Sequence, residues 1–227
     1  MGVFALSAII MAGTGFFLFF QSIGNLKPGQ RKIQADLKAI REETLKLISP
    51  ELTPVRKEDL ELISLKESKH KEKKWVVRNV QGLFHTIFEE PVIAYYSRWY
   101  PSGEAVFFAK TERHEFFYWL HGKILDIVVN DAALGTFHPE SGELLSARTK
   151  KPIARLDTGA QGKSLFIHDR QVGRMAPLKP KGKDALSQRI FDFVVDQLSQ
   201  EEEAIVLALA IHEMIRGVSQ PDTPKQK

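Results

Sequence analysis

Two histidine–glutamate pairs are the first places to look for chemistry in this chain. His212-Glu213 begins like an H-E-x-x-H zinc helix, but Arg216 stands where the second imidazole belongs. His114-Glu115 fails in the same way, with Tyr118 at the fifth place. A zinc site needs converging imidazole, thiolate or carboxylate ligands, and neither pair supplies the set. His114 and His121 lie seven apart, a spacing that shares a face only on a helix, so each reads as a satisfied histidine. Gly159-Ala160-Gln161-Gly162-Lys163-Ser164 ends like a phosphate-binding loop, yet Asp157 occupies the place of the glycine that the pattern needs. No G-x-S-x-G and no dinucleotide fingerprint appears. The chain has no cysteine, which removes disulfides, thiolate metal ligands and a cysteine nucleophile. No catalytic residue, metal ligand or cofactor is therefore assigned. The rival reading is a hydrolase-like enzyme in which His85, His114, His121, His138 or His168 serves as acid or base after converging in three dimensions.

The other chemically suggestive stretch is basic. Lys69-His70-Lys71-Glu72-Lys73-Lys74 places four lysines together. Near an anionic membrane surface each is worth roughly 1 kcal/mol. Lys69, Lys71, Lys73 and Lys74 are accordingly the candidate lipid-contact residues, with a solvated linker as the alternative. No aromatic residue interleaves the run, so nucleic acid is not an expected partner.

Four regions carry these residues. Residues 1–24 read as a transmembrane anchor: Val3 to Ile23 is uncharged, and 21 residues at ~1.5 Å each span roughly 30 Å, the hydrocarbon thickness of a bilayer. The rival is a cleaved signal peptide ending at Ser22-x-Gly24, but no Lys or Arg precedes the apolar run, which is also longer than a usual h-region. Lys27, Arg31, Lys32 and Lys38 follow the run, so the expected topology is single-pass with the soluble part cytoplasmic. Ala8 and Ala12 form a small-xxx-small step on which two copies could pair. Residues 25–74 read as a helical stalk and charged linker. Ile33, Leu37, Ile40, Thr44 and Leu47 make one narrow stripe, fit to pack on the domain, to pair with a second copy or to lie on lipid. Ser49-Pro50 ends the helix.

Residues 75–217 read as the globular domain, and 218–227 as a polar tail. The full chain of 227 residues has 43% hydrophobic and 26% charged residues with a formal charge of +4, an ordinary globular mixture. Short Val-, Ile-, Phe- and Tyr-rich runs separated by turn residues predict an antiparallel β-domain, with strands at 92–99, 105–110, 123–129, 134–137, 144–148, 153–156, 164–167 and 172–175. Residues 112–121 fit either strand or helical turn. Ile127–Pro139 and Leu165–Pro177 repeat one hairpin pattern at a spacing of 38, with Asp, Gly and Pro identical. Asp131 and Asp169 are expected to bond turn amides. At the end, Ser199 and Glu202 make a capping box, and Ala204 to Ile211 is apolar on every face. Too short to span a bilayer, that helix must be enclosed by protein, with Gly217 as its stop. The fold class is mainly β with α.

Asp131-x-x-Leu134-Gly135, Asp169-x-x-Val172-Gly173 and the apolar helix Ala204 to Ile211 give the region from Trp75 to Arg216 a resemblance to the tubby-like superfamily. That group includes LURP-one-related proteins and phospholipid scramblases. The resemblance implies a closed antiparallel β-barrel around a central helix, and a link to lipids. The scramblases' acylated cysteine cluster has no counterpart here, and no phosphoinositide signature carries over. The expected function is a membrane-anchored, non-catalytic binding or accessory domain. It would meet anionic lipid headgroups or a membrane protein partner. An oligomeric scaffold paired through stalk or anchor is the further alternative.

Overall fold

The computed structural model describes residues 28–48, 51–178 and 188–220. The expected span Val3–Ile23, the Ser49-Pro50 stop and the tail from 221 lie outside these residues. No described helix is long and apolar enough to cross a membrane.

Twelve strands follow one another as an antiparallel meander, each paired with its neighbours in sequence. They are β1 (Ile63–Lys74), β2 (Arg78–Thr86), β3 (Pro91–Trp99), β4 (Ala105–Lys110), β5 (Glu115–His121), β6 (Ile124–Val129), β7 (Ala132–His138), β8 (Glu143–Ser146), β9 (Pro152–Gly159), β10 (Gly162–Ile167), β11 (Arg170–Met175) and β12 (Phe191–Val194). Period-2 patterning sets their inner faces. In β6 Leu125, Ile127 and Val129 are buried while their neighbours are half-buried. The two ends of the meander meet. Ile190 N–H donates to Ile63 O at 2.9 Å, Leu65 N–H donates to Gln188 O at 3.1 Å, and Ser64 bridges Arg189. The sheet is thereby a nearly closed barrel, which hides edges that would otherwise invite pairing with another chain.

One helix fills it. α1 (Gln30–Leu47) lies outside the barrel, and α2 (Gln200–Ser219) inside. Every residue of α2 from Ile205 to Ile215 is buried. They pack in one core with inward residues such as Phe107, Tyr118, Phe137, Leu144, Leu165 and Val172. Tyr118 donates from its hydroxyl to Ala208 O at 2.9 Å, and Trp99 Nε1–H donates to Ser219 Oγ at 3.1 Å, so polar groups inside are tied to the helix. Burying each Leu or Ile of α2 contributes about 1.5–3 kcal/mol, more than helix propensity can offer. The capping box forms as expected, with Glu202 N–H to Ser199 Oγ at 3.2 Å and Ser199 N–H to Glu202 Oε2 at 2.8 Å. The helix runs past the expected stop at Gly217 to Ser219, and Gln220 N–H closes its last turn by donating to Arg216 O at 2.9 Å.

The stretch read as a charged linker is largely sheet. β1 and β2 form its longest hairpin, and Trp75 sits in the turn between them rather than at the start of the domain. Charges on both faces of β1 from Lys69 onward hide the alternation that marks a strand, because this half of β1 is an exposed edge paired only with β2. β12, Phe191–Val194, lies outside the expected strands. The ambiguous stretch 112–121 resolves as β5. The stripe of the stalk packs on the barrel wall. Ile33 and Ile40 lie against Tyr96, Tyr100, Val106 and Phe108, while Leu47 meets Leu52, Leu83 and Ala94. Asp36 fixes the helix in place, accepting from Arg98 Nη1 at 2.7 Å and from the Tyr100 hydroxyl at 2.5 Å.

The repeated pattern is two bulged hairpins, β6–β7 and β10–β11. Asn130 and Asp131 make the β6–β7 turn together, and the side chain of Asn130 reaches back to β5. Asn130 and Asp131 both have left-handed φ, and Asn130 Oδ1 accepts from Glu115 N–H at 2.9 Å. In the second copy His168 takes the left-handed position. The shared glycine has a steric cause. A Cβ on Gly135 would stand 2.0 Å from Leu145 O, and one on Gly173 would stand 3.0 Å from Phe193 O.

Candidate functional site

The barrel has two distinct ends. At one, α2 begins, and Arg170 pairs with the capping Glu202. At the other, α2 ends among the β1–β2, β3–β4, β5–β6, β7–β8 and β9–β10 turns. The described chain also enters at this second end, because Asp36 of α1 bonds Tyr100 just after β3, and Val77 packs beside the Ile33 cluster.

The four predicted lysines lie on the half of β1 that runs to this end. Pairing continues to its tip, with Lys71 opposite Gln81, Lys73 opposite Asn79 and Lys74 opposite Arg78. Strand alternation puts Lys71 and Lys73 on one face, and Glu72 and Lys74 on the other. All four lysines are exposed. Lys69, at a bulge with φ 50°, donates to Leu47 O at 3.1 Å and so ties the end of α1 to the sheet. Glu72 accepts from Arg78 Nε at 2.5 Å and lies 3.3 Å from Lys74 Nζ. Burial works to raise the Glu72 carboxyl, and these two cations outweigh it, holding the group below its ordinary value. The acid between Lys71 and Lys73 is thus neutralised locally, which leaves the two lysines as an exposed basic face. Trp75, at the tip, is 76% exposed. Composition gave no sign of it, since the residue had been read as the first of the domain core.

A cavity of about 530 Å³ opens at the same end. Its walls include the Gly159–Lys163 turn, Met175 to Leu178, and Glu213 and Arg216 of α2. Lys163 Nζ donates to Glu213 Oε2 at 2.6 Å, and Arg216 Nη1 stands 3.7 Å from Oε1. Burial pushes the Glu213 carboxyl up, but the charges of His212, Arg216 and Lys163 overcome it and hold the group below its ordinary range. The glycine–lysine–serine stretch thus supplies a lysine to an ion pair with the helix and makes no phosphate loop: its strand is antiparallel to both neighbours and no helix follows it. His212, one residue along, is 1% exposed. It sits among Phe107, Tyr118 and Phe137 with no hydrogen bond to Nδ1. Burial, acting first, brings its pKa down to about 4, so it is neutral at pH 7. This ion pair joins residues 50 apart in sequence, and no local signal marks it.

The five histidines of the enzyme reading do not converge. His85 is buried on β2 with Nε2 3.1 Å from Ser68 Oγ, and burial lowers its pKa. His114 bonds Asn130 at 3.0 Å, and His121 bonds Asp126 at 2.8 Å from the far end of the same strand. His138 ends β7, and His168 occupies a turn at the opposite end of the barrel. Among the described residues no group of three or more His, Asp or Glu could hold a metal ion. Compared with models of protein families, with curated proteins and with solved structures, the chain matches none.

Proposed function

We propose that this protein is a membrane-tethered, non-catalytic β-barrel whose β1–β2 hairpin meets anionic lipid headgroups. The observation that carries the reading is the exposed basic face of β1. Among the described residues no ion pair engages Lys71 or Lys73, while the acid between them, Glu72, is held by Arg78 and Lys74. The uncharged run Val3–Ile23 supports a tether, and the basic residues after it support a barrel on the cytoplasmic side. Kinship with the tubby-like superfamily belongs to the same reading. It draws on the architecture of a closed barrel around an apolar helix and carries no residue role with it. Pairing of two copies is left to the Ala8–Ala12 step, because the stripe of α1 is spent on the barrel.

The chain from residue 25 onward should bind vesicles that contain anionic lipid, and binding should fall as salt rises. Replacing Lys71, Lys73 and Lys74 by Glu should weaken it by roughly a hundred-fold or more, at about 1 kcal/mol for each lysine lost. Equal binding to neutral vesicles, or binding to neither kind, overturns the lipid reading. Protease added outside sealed cells should spare a tag at Lys227, and its digestion overturns the topology.

A further inference from the structure

We propose that the tip of the β1–β2 hairpin is a membrane wedge: Trp75 enters the headgroup layer, and the barrel stands on the bilayer with its α2 C-terminal end down. The inference rests on the anionic-lipid reading and extends it from surface attraction to insertion at one named residue.

Three observations converge on it. First, Trp75 is the most exposed large hydrophobic side chain among the described residues, at 76%, and it occupies the turn between β1 and β2. Indole combines a large apolar ring with one N–H donor, which suits the boundary between water and hydrocarbon better than either medium alone. Second, Lys71, Lys73, Lys74 and Arg78 surround it. A descending tip would bring these charges level with the phosphates. Third, the described chain begins at Pro28, on this same end, and the apolar run Val3–Ile23 stops five residues earlier. A tether at this end holds the tip at the surface rather than away from it.

The other exposed aromatic provides the contrast. Phe88 is 65% exposed at the opposite end, in the β2–β3 turn, directly before Glu89 and Glu90. The turns of that end mix Glu112, Asp131 and Asp169 with Arg113, Arg148, Lys150 and Lys151. Among the described residues, only the β1–β2 tip joins an exposed aromatic ring to charge of a single dominant sign.

The test uses the full chain in proteoliposomes, with emission of the parent compared against Trp75→Phe so that Trp99 and Trp119 cancel. In bilayers with anionic lipid, the difference spectrum should be blue-shifted. It should be quenched by lipids brominated near the top of the acyl chain and protected from aqueous acrylamide. Lys71→Glu/Lys73→Glu/Lys74→Glu should restore acrylamide quenching of Trp75 while the rest of the spectrum stays unchanged. Three results overturn the inference. Trp75 emission that stays red and acrylamide-accessible means that the tip remains in water. Protection from both quenchers means that a protein surface, such as a second copy, covers it. Equal bromine quenching in the triple variant means that the lysines do not draw it down. The residue-25 chain distinguishes the two levels. If it binds anionic vesicles while Trp75 stays in water, the wedge fails and the lipid reading stands; if it binds none, both fail.

Discussion

Lowering the pH should destabilise the barrel chiefly through His212, with His85, also lowered by burial, acting in the same direction. In the folded protein the His212 imidazole is held neutral to about pH 4, whereas in the unfolded chain it takes a proton near 6.5. Below 6.5 the unfolded state therefore binds more protons, and stability must fall as pH drops toward 4. The difference is about two and a half pH units at ~1.36 kcal/mol each, so the full loss is roughly 3 kcal/mol, with about 2 kcal/mol gone by pH 5. That is a large part of the 5–15 kcal/mol typical of a domain. The cause is geometric. The ring is enclosed by Phe107, Tyr118 and Phe137, and its Nδ1 is 3.6 Å from Glu213 Oε1, too far for a hydrogen bond. Lys163 and Arg216 face the same carboxylate and oppose a further positive charge. Glu213 itself titrates below the ordinary carboxylate range, so its own effect falls beneath this window. The assay is urea unfolding between pH 7.5 and 4.5, parent against His212→Leu, with the difference cancelling the exposed carboxylates. The two should be near equal at pH 7 and separate by about 2 kcal/mol at pH 5, with the variant more stable. Parallel profiles would refute the claim that burial sets this histidine's protonation.

Three further outcomes follow from the packing. Leu207→Asp places a charge on a helix surrounded by the barrel, where Leu207 is 4% exposed, at a cost of several kcal/mol. The variant should fail to fold cooperatively in calorimetry, while Glu201→Ala, on the exposed first turn, should melt like the parent. Gly135→Ala drives a Cβ to 2.0 Å from Leu145 O and should cost roughly 3 kcal/mol or more, whereas Gly159→Ala meets only an ordinary 3.6 Å contact. Equal melting of the two glycine variants would remove the close-approach explanation of the repeat. Asp36→Ala strands Arg98 and Tyr100 on the barrel wall at a cost of roughly 2 kcal/mol. Amide exchange should then quicken in α1 and stay slow in α2; unchanged exchange in α1 would show that Asp36 does not hold the helix.

Much of this structure was open to local reasoning. Period-2 runs and turn residues located β3, β4 and β6 to β11, since side-chain alternation is fixed by the strand itself and needs no partner. An eight-residue run with no polar face, Ala204–Ile211, required enclosure before any strand was assigned to enclose it, because no solvent-facing side exists for it to present. The stripe of α1 was equally visible, but whether it met lipid, a second copy or its own barrel depended on Tyr96, Tyr100, Val106 and Phe108, more than fifty residues along the chain. The four lysines could be found from their spacing. Their setting could not, because an edge strand exposed to solvent carries charge on both faces and loses the alternation that would mark it. Trp75 looked like the start of a core, since composition reports that a residue is apolar and not whether anything covers it. The Lys163–Glu213 pair and the aromatic cage of His212 arose only when closure brought β4, β5, β7 and β10 around one helix. Such contacts are set by the register of a whole barrel, a property no single segment encodes.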